Sequence, residues 1–316
     1  METVVIVGSG LVGKSWAMLW ASAGHQVRLY DVVPEALASA PGQIKEILTL
    51  LEAKGQLRPS KLNVQEQLEL ISVHPDLKEA LRGATYIQEN TPEALEMKRN
   101  TFQLLDALLK EVGNTTAIIG SSTSTIQGSL FTNGLSVEER SIVVHPVNPP
   151  YFVNLVELIP TPGTKPEVGI RLRGLMESLG MKPVILNKEL PGFALNRIQY
   201  AILNECWRLV NDGVLSVADV DTVMKEGLAP RYVFMGPLET AQLNAHGFVD
   251  YCQRYGQGIN SVSQTMQEIP LMSGESCAEI DRQLQTILPD GQLPQRRAWR
   301  DENLARLASF KRELGL

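Results

Sequence analysis

His145 and Glu157 are the residues of this sequence best suited to chemistry. His145 closes a β-branched apolar run, "SIVVH", and Glu157 interrupts another, "NLVELIP", twelve residues later. An unpaired carboxylate inside an apolar strand costs several kcal/mol or takes up a proton. Glu157 therefore needs a partner, and His145 is the nearest one that would gain from it. A neutral imidazole can take a proton from a hydroxyl while hydride leaves the same carbon. A carboxylate behind the ring fixes its tautomer and stabilises the imidazolium that forms. A strand, a tight "NPP" turn and a returning strand would bring the two side chains together.

Hydride chemistry needs an acceptor, and the first thirty residues supply a seat for one. "TVVIV" is a short buried-strand run, followed by "GSGLVG" and the helical stretch "KSWAMLWASAG". Gly8, Gly10 and Gly13 form a GxGxxG between strand and helix, with Leu11 and Val12 completing the turn. In that position the glycines permit a tight turn, close approach of a pyrophosphate and close packing of helix on strand. Asp31 ends the second strand, "HQVRLYD", where an acid can bind the ribose hydroxyls. No cation follows it in "DVVPEA", so NAD is expected rather than NADP. A further candidate is Ser124 in "GSSTST". The GxSxG elbow of a nucleophilic serine is missing, so Ser124 is expected to hydrogen-bond a substrate oxygen.

These groups must be positioned by a sheet. Strand-like runs recur at "LISV", "ATYIQEN", "TAIIGSS", "SIVVHPV", "LVELIPT" and "MKPVILN", with helical segments between several of them. This alternation predicts an α/β fold with a Rossmann-type, mostly parallel sheet. A helical region from about Pro34 to Leu70, broken near "AKGQLRPS", sets Ile44, Ile47, Leu48 and Leu51 on one face. Beyond Pro191 the periodicity turns helical, beginning with "GFALNRIQYAILNECWRLVNDG". The expected organisation is a dinucleotide-binding domain over 1–190 and an all-helical second domain over 191–316, to which the resemblance given below assigns substrate binding and dimerisation.

Composition narrows the classes. The chain has 316 residues, 44% hydrophobic and 20% charged, as expected of a globular protein. Its net charge of -6, spread without a basic face, argues against nucleic acid. No apolar run reaches membrane-spanning length and the N-terminus lacks a signal-peptide pattern. Three widely spaced cysteines, Cys206, Cys252 and Cys277, point to a reducing cytoplasm, and no metal-ligand spacing occurs.

Over essentially its full length the chain resembles the 3-hydroxyacyl-CoA dehydrogenase superfamily. The shared marks are the GxGxxG, "SSTS", "HPVNP", "LVELI" and "PGFALNRI". "HPVNPPY", "NRIQYAILNECWRLV", "EGLAPRYVFMGPLET" and "WRDENLARLASFK" resemble one branch, which oxidises L-gulonate at its 3-hydroxyl and includes a lens crystallin. The resemblance implies an NAD enzyme, a homodimer, and a catalytic set of His145, Glu157, Ser124 and Asn196. It implies nicotinamide-side contacts from Glu93, Lys98 and Asn148. CoA-using members carry a serine and a lysine in the helical excursion; Ile47 and Lys54 stand at the comparable positions here, so half of that pair is missing. Arg231 stands where CoA users have a small residue, and its guanidinium fork suits a substrate's free carboxylate. Other 3-hydroxy acids remain alternatives: a 3-hydroxyacyl-CoA, L-carnitine or 3-hydroxybutyrate. A purely structural protein or an NAD-sensing regulator would not need the catalytic set.

Overall fold

The computed structural model describes residues 1–315. The chain divides into two compact units. The first comprises Met1–Arg197 together with Asp301–Phe310, and the second comprises Ile198–Arg300 with the described residues after Phe310.

The first unit is built on one eight-stranded sheet. Its strands are β1 (Thr3–Val7), β2 (Gln26–Tyr30), β3 (Ile71–Val73), β4 (Tyr86–Glu89), β5 (Ile118–Ser121), β6 (Ser141–Pro146), β7 (Leu155–Pro160) and β8 (Lys182–Ile185). The order across the sheet is β3-β2-β1-β4-β5-β6-β7-β8. Neighbours are parallel except for β6 and β7, which pair antiparallel. The order reverses at β1, between the β2–β3 side and β4, and that is where open α/β sheets leave a ligand crevice beyond their carboxyl edge.

Strand β1 shows why the sheet needs helices on both faces. Val4 and Ile6 point into one core with Trp16, Trp20, Leu29 and Ile44, while Val5 and Val7 point into another with Phe102, Leu105 and Ile119. Each large apolar side chain fully buried in this way contributes about 1.5–3 kcal/mol. The helix Leu11–Ser22 follows β1 directly, as the glycine pattern requires. The helical excursion resolves into Pro34–Ala53 and Val64–Glu69. The second of these starts on an Asn63–Glu66 capping box. Ile44, Leu48 and Leu51 are buried along the face that their spacing marks out, with Ile47 packed partly against the same core.

After β8 the described residues form helices and no strand, including Leu195–Asn211, Phe248–Gln264, Gly274–Ile287 and Leu293–Glu313. The first unit extends past residue 190 because the start of Leu195–Asn211 is bonded into it, through Ala194, Leu195 and Asn196. It also takes up Asp301–Phe310, where Glu302 pairs with Lys54 at 3.0 Å. Among the described residues no helix is long and apolar enough to cross a membrane.

Gly120, in the middle of β5, gives the packing a sharp test. A Cβ there would overlap the Tyr86 hydroxyl and come within 2.9 Å of Val144 Cγ2. Gly120→Ala should therefore destabilise the protein by about 1–3 kcal/mol, the usual cost of overpacking. An unchanged urea midpoint would show that Tyr86 can move aside freely.

Candidate active site

The glycine turn has the shape a pyrophosphate needs. Gly8 sits at φ +94°, and a Cβ on it would come within 2.9 Å of the Asn90 carbonyl oxygen. A Cβ on Gly13 would overlap the Gly8 carbonyl oxygen, so only glycine lets the helix lie this close to β1. Around Gly10 there is nothing within 4 Å of a built Cβ. Gly10 caps the helix without any side-chain bond, so the first-turn N–H groups have no side-chain acceptor at the cap. Leu11 and Val12 occupy the first turn of this helix. The turn thus offers amide donors, a positive helix end and room, which fits a dinucleotide.

Asp31 closes the far side of the turn. Its carboxylate accepts hydrogen bonds from Ser9 N (2.6 Å), Ser9 Oγ (2.8 Å) and Val33 N (2.9 Å). Burial pushes the acid's pKa up, but the bonds from the Ser9 and Val33 amides and the Ser9 hydroxyl outweigh it and hold the group below its ordinary value. Asp31 therefore presents a charged acceptor at neutral pH.

The carboxyl ends of β4 and β5 are laced together by two glutamates. Glu89 is fully buried and binds Lys98 Nζ through both oxygens (2.9 and 3.1 Å), as well as Ser121 Oγ and Thr91. Lys98 Nζ also donates to Thr91 O at 2.9 Å, and Lys98 is only 1% exposed. All three ammonium hydrogens are thus used inside the protein. Lys98 thereby ties the helix Leu95–Glu111 to the carboxyl end of β4, through its ion pair with Glu89. Glu93 lies on the surface with Oε1 turned toward the β5 loop. It accepts from Thr123 Oγ1 (2.8 Å), Ser124 N (3.0 Å), Thr125 N (2.8 Å) and Thr125 Oγ1 (3.0 Å). Burial raises the Glu93 pKa, while these bonds and the Lys98 charge lower it by more, for a net shift downward. Its Oε2 has no partner among the described residues.

His145 and Glu157 face each other across the antiparallel β6–β7 pair, in direct register. His145 Nδ1 lies 2.8 Å from Glu157 Oε2, and the residues are 4% and 2% exposed. Glu157 Oε1 accepts from Ala194 N and Leu195 N, both at 2.9 Å. The carboxylate is therefore held between an imidazole and the N-terminal amides of the helix Leu195–Asn211, where the helix dipole favours a negative charge. Burial raises its pKa, but the His145 bond and the two amide bonds prevail and keep it below the ordinary carboxylate range.

The chain reaches this geometry through Phe193, a buried residue at φ +51°. That conformation is rare for a bulky side chain and costs on the order of 1–3 kcal/mol. It is held by packing of the ring against His145, with centroids 5.5 Å apart. Gly192 N donates to Thr125 O at 3.2 Å, tying the same turn to the serine loop. Asn196 Nδ2 then donates to Ser124 O at 2.7 Å. The Ser124 hydroxyl and His145 Nε2 make no hydrogen bond among the described residues, so both are available to a ligand.

Other expected site residues fall elsewhere. Asn148 is exposed on the turn between β6 and β7, with a cis peptide bond to Pro149. Arg231 lies in the second unit, exposed on the short helix Ala229–Tyr232. Its Nη2 donates to Gly227 O at 3.2 Å, and it forms no ion pair among the described residues. Lys54 is paired with Glu302, and Ile47 packs against the core. Sequence reasoning missed Glu89, Phe193 and the Ala194–Leu195 amides. Glu89 sits between Gln88 and Asn90 in "YIQEN" and so lacks the apolar flanks that single out Glu157.

A dinucleotide turn at a sheet crevice beside a carboxylate-backed histidine marks an NAD-dependent oxidoreductase that acts on a CH–OH group. The comparisons with known proteins agree. The NAD binding domain of 3-hydroxyacyl-CoA dehydrogenase matches residues 3–190 and its C-terminal domain matches 192–275. The lambda-crystallin homolog of Homo sapiens is 47% identical over 313 residues, covering 98% of this chain and 97% of that protein. Lambda-crystallin of Oryctolagus cuniculus is 44% identical over 313 residues, covering 98% and 97%. Among solved structures, the NAD+-dependent dismutase 5-formyl-3-hydroxy-2-methylpyridine 4-carboxylic acid 5-dehydrogenase superposes with a TM-score of 0.76 at 26% identity. That match covers 100% of this chain and 99% of the other. The chain belongs to the 3-hydroxyacyl-CoA dehydrogenase family, on its lambda-crystallin branch.

The Glu157 assembly predicts an acid dependence of stability. A carboxylate whose folded pKa lies below its unfolded value, about 4.3 for Glu, stabilises the fold fully above that value. The contribution is lost as pH falls through the folded pKa. Asp31 and Glu93 act in the same window, so the measure is a difference between proteins. The urea midpoint of wild type should fall more steeply below about pH 4.3 than that of Glu157→Gln. Parallel curves would mean that Glu157 is not held as a charged group.

Proposed function

We propose that the protein oxidises the 3-hydroxyl of a small hydroxy acid, and that the acid is L-gulonate, giving 3-dehydro-L-gulonate. The observation that carries this reading is the buried His145–Glu157 pair at 2.8 Å, with the second ring nitrogen left open. His145 Nε2 takes the hydroxyl proton. Glu157 holds the Nδ1 proton and stabilises the imidazolium that results. The Ser124 hydroxyl and the Asn196 amide orient the substrate oxygen. NAD, when bound, would supply the acceptor for the hydride of the carbinol carbon; Gly8, Gly10, Leu11, Val12 and Gly13 would hold its pyrophosphate, Asp31 its ribose, and Glu93 and Asn148 its nicotinamide portion.

The substrate class follows from which groups are free and which are used. Arg231 is an exposed guanidinium without an acidic partner among the described residues, and it binds the acid's carboxylate. Lys54 is engaged by Glu302 and Ile47 is apolar, so neither offers a charge to CoA phosphates. A purely structural role would give no reason to maintain a buried, paired histidine beside an open serine. The three free thiols suit a cytoplasmic setting.

His145→Gln should abolish turnover while NADH binding stays near wild type; retained turnover would refute the base assignment. NAD reduction should be screened with L-gulonate, 3-hydroxybutyrate, L-carnitine and 3-hydroxybutyryl-CoA. L-Gulonate should give the highest kcat/KM, and Arg231→Met should raise its KM by at least about tenfold, the loss of one charge-assisted contact. Preference for the CoA ester, or an unchanged KM in Arg231→Met, would overturn the substrate reading.

The protein also acts as a homodimer on this reading. The second unit exposes apolar rows on two helices: Ile198 and Ile202 on one, and Tyr255, Ile259 and Val262 on the other. Exposed apolar faces of this kind mark association surfaces. Sedimentation equilibrium should give twice the 34.8 kDa chain mass; a monomer at micromolar concentration would contradict the assignment.

A further inference from the structure

Ser122 lies just beyond β5, two residues before Ser124, and has no part in the chemistry so far. Its hydroxyl accepts from Trp16 Nε1 (3.1 Å) and Gln88 Nε2 (2.7 Å), and donates to Asn90 Oδ1 (2.7 Å). One donated and two accepted bonds exhaust the capacity of a hydroxyl.

The partners surround the glycine turn. Trp16 is fully buried on the helix Leu11–Ser22, three residues past Gly13. Asn90 ends the β4 segment. Its main-chain N donates to Val7 O at 2.8 Å, and its Nδ2 donates to Val7 O (3.3 Å) and Gln88 O (2.9 Å). The Asn90 carbonyl is also the group that leaves no room for a Cβ on Gly8. Gln88 Oε1 in turn accepts from the buried Tyr86 hydroxyl. One hydroxyl therefore links the end of β1, reached through Asn90, to the helix that leaves the glycine turn, reached through Trp16. The same residue is fixed to β4 by its own amide, which donates to Glu89 O at 2.8 Å.

We propose that Ser122 is a positioning residue that sets the NAD-binding turn against the strand end carrying Ser124, so that cofactor and substrate oxygen share one frame. The proposal rests on the reading of Ser124 as part of the substrate seat. Its physical basis is that displacements of about 1 Å remote from the reacting atoms can cost about a hundredfold in rate. Replacing Ser122 by alanine strands two buried donors, the Trp16 N–H and the Gln88 amide, and the half-buried Asn90 Oδ1, and each loses its reason to stay in place.

The test compares Ser122→Ala, Ser122→Thr and Trp16→Phe by NADH fluorescence titration of the cofactor-free protein and by steady-state kinetics with both substrates varied. Ser122→Ala should weaken NADH binding about tenfold and lower kcat/KM for the hydroxy acid by at least as much. Ser122→Thr, which keeps the hydroxyl, should restore most of both. Trp16→Phe, which removes one of the three bonds, should shift NADH affinity in the same direction by about threefold, as expected for a single lost hydrogen bond. If Ser122→Ala lowers the melting temperature yet leaves NADH affinity and both KM values unchanged, the residue is merely structural and the proposal fails. Should Ser122→Ala not fold, an unchanged NADH affinity in Trp16→Phe overturns it. A fully active Ser124→Ala would remove the substrate-seat reading alone, while weakened NADH binding in Ser122→Ala would still support the hold on the cofactor turn.

Discussion

The site depends on one constraint: a carboxylate taken out of water must be met by donors on every side. Glu157 meets it with His145 on one oxygen and two helix-terminal amides on the other. Most of the surrounding geometry is a consequence. The β6–β7 pair must be antiparallel and in register for the two side chains to face each other. The chain after β8 must turn sharply enough to aim the next helix's first amides at Glu157, which requires the left-handed Phe193. Asn196, at the start of that helix, is then carried to the Ser124 carbonyl. The conformational cost at Phe193 is offset by what it assembles.

A second buried carboxylate obeys the same rule with a different outcome. Glu89 is matched by an ammonium, two hydroxyls and an amide. Its saturation makes it a joint between β4, β5 and the helix bearing Lys98, where Glu157 leaves one histidine nitrogen open for chemistry. Burial alone does not separate a structural from a chemical acid; whether the partner still has a free end does.

What was legible in the sequence was local in pattern. The strands, the glycine turn and the β6–turn–β7 unit are contiguous, so hydrophobic alternation and glycine spacing were enough to place them, and with them the pairing of His145 with Glu157. What was not legible depends on segments distant in sequence. The ion pair of Lys98 with Glu89 joins two segments and could not be read from "YIQEN" or "LEMK" alone. Glu93 was expected at the cofactor, but its clamp on residues 123–125 could not be inferred from either segment alone. Nothing in "PGFALN" announced that its main-chain amides would matter more than its side chains. The compact unit that reaches Arg197 likewise depends on tertiary hydrogen bonds, which composition does not record, at the first turn of the helix Leu195–Asn211.

Every bond of the His145–Glu157 assembly, from Asn196 to Glu93, is made within the first unit. Residues 198–300 share none of these bonds, and substitutions at sites without shared partners act nearly independently. Sequence change within residues 198–300 can therefore accumulate without breaking any bond of the His145–Glu157 assembly. The hydrogen bonds that fix this pair are inherited with the first unit alone.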